Sequence, residues 1–208
     1  MFETSTLITY IVIVLGFVFI PGPATLLTVA RAASSGTKVG IATGVGIAAG
    51  DLVHTFAAAV GISAVLAASA TLFGIIKYIG ATYLIYLGVR AIVEKSPASP
   101  VERVAPIATD KAFRQAILTE LLNPKTALFF LAFLPQFVQP VHGLVTLQLA
   151  SLGIIFVVLG LCSTVIYAAG AARLGHFLRR NPSVLRWQGK MVGGIYCAVG
   201  IRVALQER

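Results

Sequence analysis

Hydrophobic and polar positions along the chain fall into long blocks rather than into a strand-like alternation. One apolar run begins near Ser5 and meets no charged side chain until Arg31. Others occupy about Val39 to Leu66, Leu72 to Val93, Ala112 to Leu134, Leu144 to Ala172 and Trp187 to Ala204. A helix needs roughly 20 residues to cross a hydrocarbon layer of about 30 Å, so the pattern predicts six transmembrane helices, the first over Ser5 to Ala30. Several runs are longer than that, which predicts tilted or kinked spans. Two runs carry an obvious place for a kink: Pro21-Gly22-Pro23 in the first and Asn123-Pro124-Lys125 in the fourth. Lipid cannot hydrogen-bond the carbonyls that a proline frees, so such a break is tolerated only where protein or a wet cavity re-satisfies the backbone. In secondary transporters that cavity holds the substrate.

Composition strengthens the membrane reading. Of 208 residues, 58% are hydrophobic and 11% charged, against about 25% charged in soluble domains, and the mean hydropathy is +0.93. Six spans use nearly the whole chain and leave no room for a separate soluble catalytic or nucleotide-binding domain. Gly189-Lys190 is followed by Met191, so no phosphate-binding loop ends there, and ATP is not the expected energy source. The N-terminus, Met1-Phe2-Glu3-Thr4, lacks the basic region of a signal peptide, and the first run is expected to be retained as a span.

The net charge of +9 does not mark a nucleic-acid partner, because the basic residues cluster at the ends of apolar runs. Arg31 and Lys38, then Arg90, Lys95, Arg103, Lys111 and Arg114, then Arg173, Arg179, Arg180, Arg186 and Lys190 fall on one side. Only Arg202 and Arg208 fall on the other, with Lys77 and Lys125 inside spans. The positive-inside rule then predicts both termini outside the cell. With that topology, repeat one (residues 1–93) and repeat two (residues 112–208) are related by inversion. A cytoplasmic linker, residues 94–111, joins them within one transmembrane domain, 1–208. Pro97, Pro100 and Pro106 lie in the linker. The two breaks occupy matching places, in the first helix of each half.

Proline opens a new helical segment well, because its missing N–H falls where donors are orphaned anyway, and Asn123 is a good cap for the segment behind it. Each break therefore aims a helix N-terminus, with free N–H groups and partial positive charge, toward the bilayer centre, where it suits a substrate carboxylate. Gly22 lets a ligand approach the backbone closely. Asp51 lies about 12 residues into its span, roughly 18 Å along the helix. A carboxylate at that depth costs on the order of 3 kcal/mol and marks a functional group by default. It suits an ammonium partner, a proton carrier or both. His54 shares its face. Lys125 binds a carboxylate or compensates Asp51, and Glu120 pairs with Lys125, pairs with a basic loop residue, or joins Asp51 in carrying protons. Lys77 and Arg90 snorkel from the two ends of span three. Glycines 36, 40 and 44, then 46 and 50, suit close helix packing. Tyr78, Tyr83, Tyr86 and Trp187 read as interfacial or core aromatics. Cys162 and Cys197 read as small core residues, with no metal or redox motif around them.

These residues together resemble the lysine exporter and homoserine/threonine exporter family of bacterial amino-acid efflux proteins. The resemblance covers the full length. It rests on Pro21-Gly22-Pro23, on the glycine-rich segment Gly40 to Gly50 closing with Asp51, and on Lys77-Tyr78-Ile79-Gly80-Ala81-Thr82-Tyr83-Leu84-Ile85-Tyr86-Leu87-Gly88. Most specific is Asn123-Pro124-Lys125 followed by Phe133-Leu134-Pro135-Gln136-Phe137. It implies a multi-pass inner-membrane exporter of amino acids, driven by the proton-motive force, with no cofactor and no enzymatic activity. Asp51 is the one clear intramembrane acid, which favours a neutral substrate of threonine, homoserine or leucine type over a basic one. The expected site is Pro21, Gly22, Pro23, Asp51, Asn123, Pro124 and Lys125 for substrate, with Asp51 and Glu120 for protons. The alternative is a divalent-metal or other small-solute exporter, suggested by Asp51 and His54, although a metal needs more ligands than that pair. The oligomeric state is open to either a monomer or a homo-oligomer.

Overall fold

The computed structural model describes residues 2–19, 22–68, 70–93, 105–180 and 182–205. Among these there is no strand. Eight α-helices follow in order: α1 Thr4–Val18, α2 Pro23–Ser35, α3 Thr37–Ala68, α4 Ala70–Val93, α5 Thr109–Leu121, α6 Pro124–Leu128, α7 Val145–Arg180 and α8 Pro182–Leu205. Among the described residues, two helical stretches, Thr37–Ala64 and Val145–Ala171, are long and apolar enough to cross a membrane. The bent pairs Thr4–Val18 with Pro23–Ser35, and Thr109–Leu121 with Pro124–Phe137, bring the number to four. α4 and α8 have 24 residues each, the length of a crossing.

The two bends, 52° and 45°, fall where the prolines are. Gly22 is extended and caps α2, whose first residue is Pro23. Asn123 caps α6, its side-chain oxygen accepting from the Lys125 N–H at 3.1 Å, with Pro124 as the first helical residue. α6 is only five residues long and passes into a π-helical turn, Phe129–Phe133, and a 3₁₀ turn, Leu134–Phe137. Pro135 in that 3₁₀ turn has no N–H to donate back to the π turn before it.

Glycine sets how closely the helices approach. A β-carbon at Gly44 would lie 2.6 Å from Thr164 Oγ1, and one at Gly40 would lie 3.1 Å from the Ala168 methyl. Gly153 of α7 meets Thr55 in the same way, so α3 and α7 run antiparallel. The opposite face of α3 uses Gly46 and Gly50 to admit Ala116 and Glu120 of α5, in parallel sense. α4 and α8 cross antiparallel where Gly88 meets Cys197, Gly193 meets Ile92 and Gly200 meets Ile85. The expected glycine ladder is thus a packing surface on two faces, with one correction. Gly36 is not part of it: at φ 90° it ends α2 before α3 begins.

The core is aromatic. Tyr10 and Phe17 of α1, Phe129, Phe130, Phe133 and Phe137 after the second break, and Phe156 of α7 are buried together. Outside it, Phe56 and Val60 of α3, Ile79 and Val89 of α4, and Val158 and Ile166 of α7 are exposed apolar side chains, as lipid-facing helices require. Two sequence expectations change here. Cys162 is exposed rather than in the core, while Cys197 is half-buried at the α4–α8 crossing. Arg31, expected as a loop charge, is buried near the end of α2. Its guanidinium donates to the Ala105 carbonyl at 2.8 Å and to Gln115 Oε1 at 2.7 Å, fastening the end of the linker to the helix.

Candidate functional site

Each proline at the breaks deletes the N–H that would close a helical turn onto the carbonyl four residues earlier. Pro21 and Pro23 do this to Phe17 and Phe19, and Pro124 does it to Glu120. All three carbonyls find a donor on another helix. The Lys125 ammonium donates to the Phe17 carbonyl at 3.4 Å, the Tyr167 hydroxyl to the Phe19 carbonyl at 2.7 Å, and His54 Nε2 lies 3.0 Å from the Glu120 carbonyl. The last contact requires the Nε2–H form of the imidazole. Between the first two, Ser163 Oγ donates to the Val18 carbonyl at 2.9 Å. α7 and α6 thus complete the backbone of the first broken helix, and α3 helps complete the second.

Around these breaks lies a cavity of about 50 Å³, room for a few water molecules. It is lined by Gly22, Pro23, Ala24 and Thr25 at the start of α2, by Asp51, and by Glu120, Asn123, Lys125 and Thr126. Phe17, Val18, Ile47 and Phe156 form its apolar wall. Six residues singled out from the sequence therefore meet at one place: Gly22, Pro23, Asp51, Glu120, Asn123 and Lys125. Pro124 is exposed and is not part of the lining; its contribution is the missing N–H. Pro21 lies outside the described residues. His54 faces the Glu120 backbone and stacks on Phe130, ring centroids 5.9 Å apart.

The polar groups of the cavity differ in how fully they are occupied. Glu120 is buried, with both carboxylate oxygens accepting from Asn123 Nδ2 at 3.1 and 3.2 Å and Oε1 also bonded by the Thr126 hydroxyl. Asp51 is 3% exposed, its carboxyl lies within hydrogen-bonding reach of Glu120, and its Oδ1 has no partner. A buried oxygen without a donor is costly and asks for an explanation. The Lys125 ammonium lies 4.1 Å above the Phe17 ring centroid, and its one long hydrogen bond leaves donors for a further acceptor. A β-carbon at Gly22 would come within 3.3 Å of that nitrogen, so glycine there keeps the ammonium against the break. The N–H groups of Ala24 and Thr25, in the first turn of α2, have no partner within their own helix and border the same space. Among the described residues no three His, Cys, Asp or Glu side chains gather as a metal site would need.

A positively charged pole and a bare carboxylate oxygen thus line one cavity at the meeting of two broken helices, the arrangement that secondary transporters build from discontinuous helices. A family model agrees with this: LysE type translocator, matched over residues 15–207. The chain belongs to that family. A leucine efflux protein of Salmonella typhimurium is 26% identical over 199 residues, covering 94% of this chain and 93% of that protein. An uncharacterized membrane protein of Vibrio cholerae is 29% identical and covers 95% of each chain, and YrhP of Bacillus subtilis, an uncharacterized membrane protein, is 37% identical over 74% of this chain and 77% of its own. No solved structure matches. This LysE-family chain is a multi-pass membrane translocator.

Sequence reasoning missed Ser163, Tyr167, Thr126 and the apolar wall. A signal for the first two was present: hydroxyl-bearing residues one turn apart in an otherwise apolar span share a face.

Proposed function

We propose that the protein is a secondary-active exporter that moves neutral amino acids out of the cytoplasm, driven by the proton-motive force. The observation that carries the reading is the opposition, across one cavity, of the unpartnered Asp51 Oδ1 and the Lys125 ammonium beside the α2 N-terminus. The substrate carboxylate is bound by Lys125 and the first N–H groups of α2, with Pro21, Gly22, Pro23 and Asn123, Pro124 holding the breaks open. The α-ammonium is bound by Asp51. A second cation on the substrate would find no acid of its own, because Glu120 already accepts from Asn123 and Thr126 and faces Asp51. The leucine efflux relatives support a substrate of this neutral class.

A hydrogen bond between two carboxyls uses one proton, and Asp51 and Glu120 are placed to hold it. Arrival of the substrate ammonium at Asp51 and departure of that proton are alternatives at one site, which is the requirement for exchange. The alternating-access frame is six crossings in two inverted halves, 1–93 and 112–208, joined by the linker 94–111. It is supported by the antiparallel pairing of α3 with α7 and of α4 with α8, corresponding helices of the two halves. The proposed setting is the bacterial inner membrane, with both termini on the periplasmic side.

The test is efflux from cells loaded by dipeptide feeding, comparing empty vector, native protein and Asp51→Asn while every external amino acid is quantified. The expected result is one or a few neutral amino acids appearing faster with the native protein and at the vector rate with Asp51→Asn. Equal external pools in all three strains would overturn the reading, and a divalent-metal resistance phenotype would replace it.

A further inference from the structure

We propose that Phe17 is a door between the cavity that binds the amino-acid backbone and an apolar subsite that accepts an aliphatic side chain of the substrate; this rests on the exporter reading above. A second cavity, about 10 Å³, lies behind Phe17 and is walled by Ile13, Leu84, Phe129, Phe133, Ile195 and Tyr196, with apolar surface alone turned inward. Phe17 lines both cavities. Its ring is the partition, packed against Phe129 at 4.4 Å and Phe156 at 5.7 Å between centroids.

Lys125 latches this ring. Its ammonium lies over the Phe17 ring and donates to the carbonyl of the same residue. A substrate carboxylate that draws the ammonium toward the α2 N-terminus loosens both contacts, and the ring that swings aside joins the two spaces. Joining is needed, because cavities of about 50 and 10 Å³ hold only a few waters between them. The chemistry of the rear wall selects the occupant. A hydroxyl or ammonium entering it loses its hydration and gains no partner. A phenyl ring is too wide for a space already filled by Phe129 and Phe133, whose centroids lie 4.8 Å apart.

The experiment is counterflow of radiolabelled leucine into proteoliposomes containing the full-length protein, competed by unlabelled alanine, 2-aminobutyrate, norvaline, leucine, homoserine, phenylalanine and lysine. Competition is expected to strengthen severalfold with each added methylene. Leucine should exceed alanine by at least about tenfold, with homoserine, phenylalanine and lysine weak. Phe17→Ala should admit phenylalanine, and Leu84→Phe, which fills the rear space, should bring the leucine-to-alanine ratio toward one. Equal competition by leucine and alanine, or an unchanged ratio in both variants, overturns the subsite. Where a variant fails to fold, the chain-length series on the native protein decides alone. Exchange of labelled threonine but not of leucine would sink the subsite and leave the exporter standing; exchange of no amino acid would sink both.

Discussion

Glu120 and Tyr167 show how a single side chain can serve architecture and chemistry at once. Tyr167 fills the place of the N–H that Pro23 lacks. Tyr167→Phe is expected to cost about 1 kcal/mol, read as a melting midpoint lowered by roughly 2–4 °C in detergent. Glu120 both caps the second break through Asn123 and Thr126 and faces Asp51. Glu120→Gln keeps an oxygen for the Thr126 hydroxyl and is expected to fold and exchange substrate downhill while losing uphill, proton-driven export. Glu120→Ala, which strands both donors, should lower the yield of folded protein as well. Proteoliposomes with and without an imposed pH gradient separate the two effects. At this scale the sequence was informative about charge and breaks: a carboxylate at depth and a proline in an apolar run each announce a cost that something must offset. It showed Ser163 and Tyr167 only as hydroxyls on one face and not as donors to another helix, because a hydroxyl in a membrane helix usually bonds its own helix. Thr43 and Thr55 do so, onto Val39 and Asp51.

Among elements, α3 is the hub, with α7 on one glycine face and α5 on the other. Its spacing of small residues was legible as a packing surface. Which neighbour fills which face was not, since a glycine records only that something comes close. The glycines divide into two groups with opposite expectations. Gly44→Ala puts a β-carbon 2.6 Å from Thr164 Oγ1 and should destabilise by about 1–3 kcal/mol. Gly61→Ala meets nothing within 4 Å in the same helix and should stabilise by up to about 1 kcal/mol through helix propensity. Thermal melts of the two variants against the native protein check the pair. The second break was legible as a kink at Pro124 but not as a π turn running into a 3₁₀ turn. That geometry is set by where Phe129, Phe130, Phe133 and Phe137 pack in the core, which no local rule contains.

For the whole molecule, the asymmetric placement of Lys and Arg leads to the proposed orientation. Alkaline phosphatase fused after Arg208 should be active and a fusion after Arg103 inactive, whereas the reverse pattern would turn the molecule over and exchange entry and exit. Six apolar runs in the sequence lead to an expectation of six crossings. Among the described residues, up to four are carried by helix length and composition when each bent pair is taken as one span. The carbonyls of Phe17, Val18 and Phe19 depend on Lys125, Ser163 and Tyr167, groups that leave the ribosome more than a hundred residues later. During synthesis, then, α1 emerges before its partners and is among the last of these helices to become self-sufficient. Until α6 and α7 arrive it must keep its bare carbonyls in a wet or proteinaceous place, so the insertion machinery has to hold the opening segment until the fifth apolar run has been made.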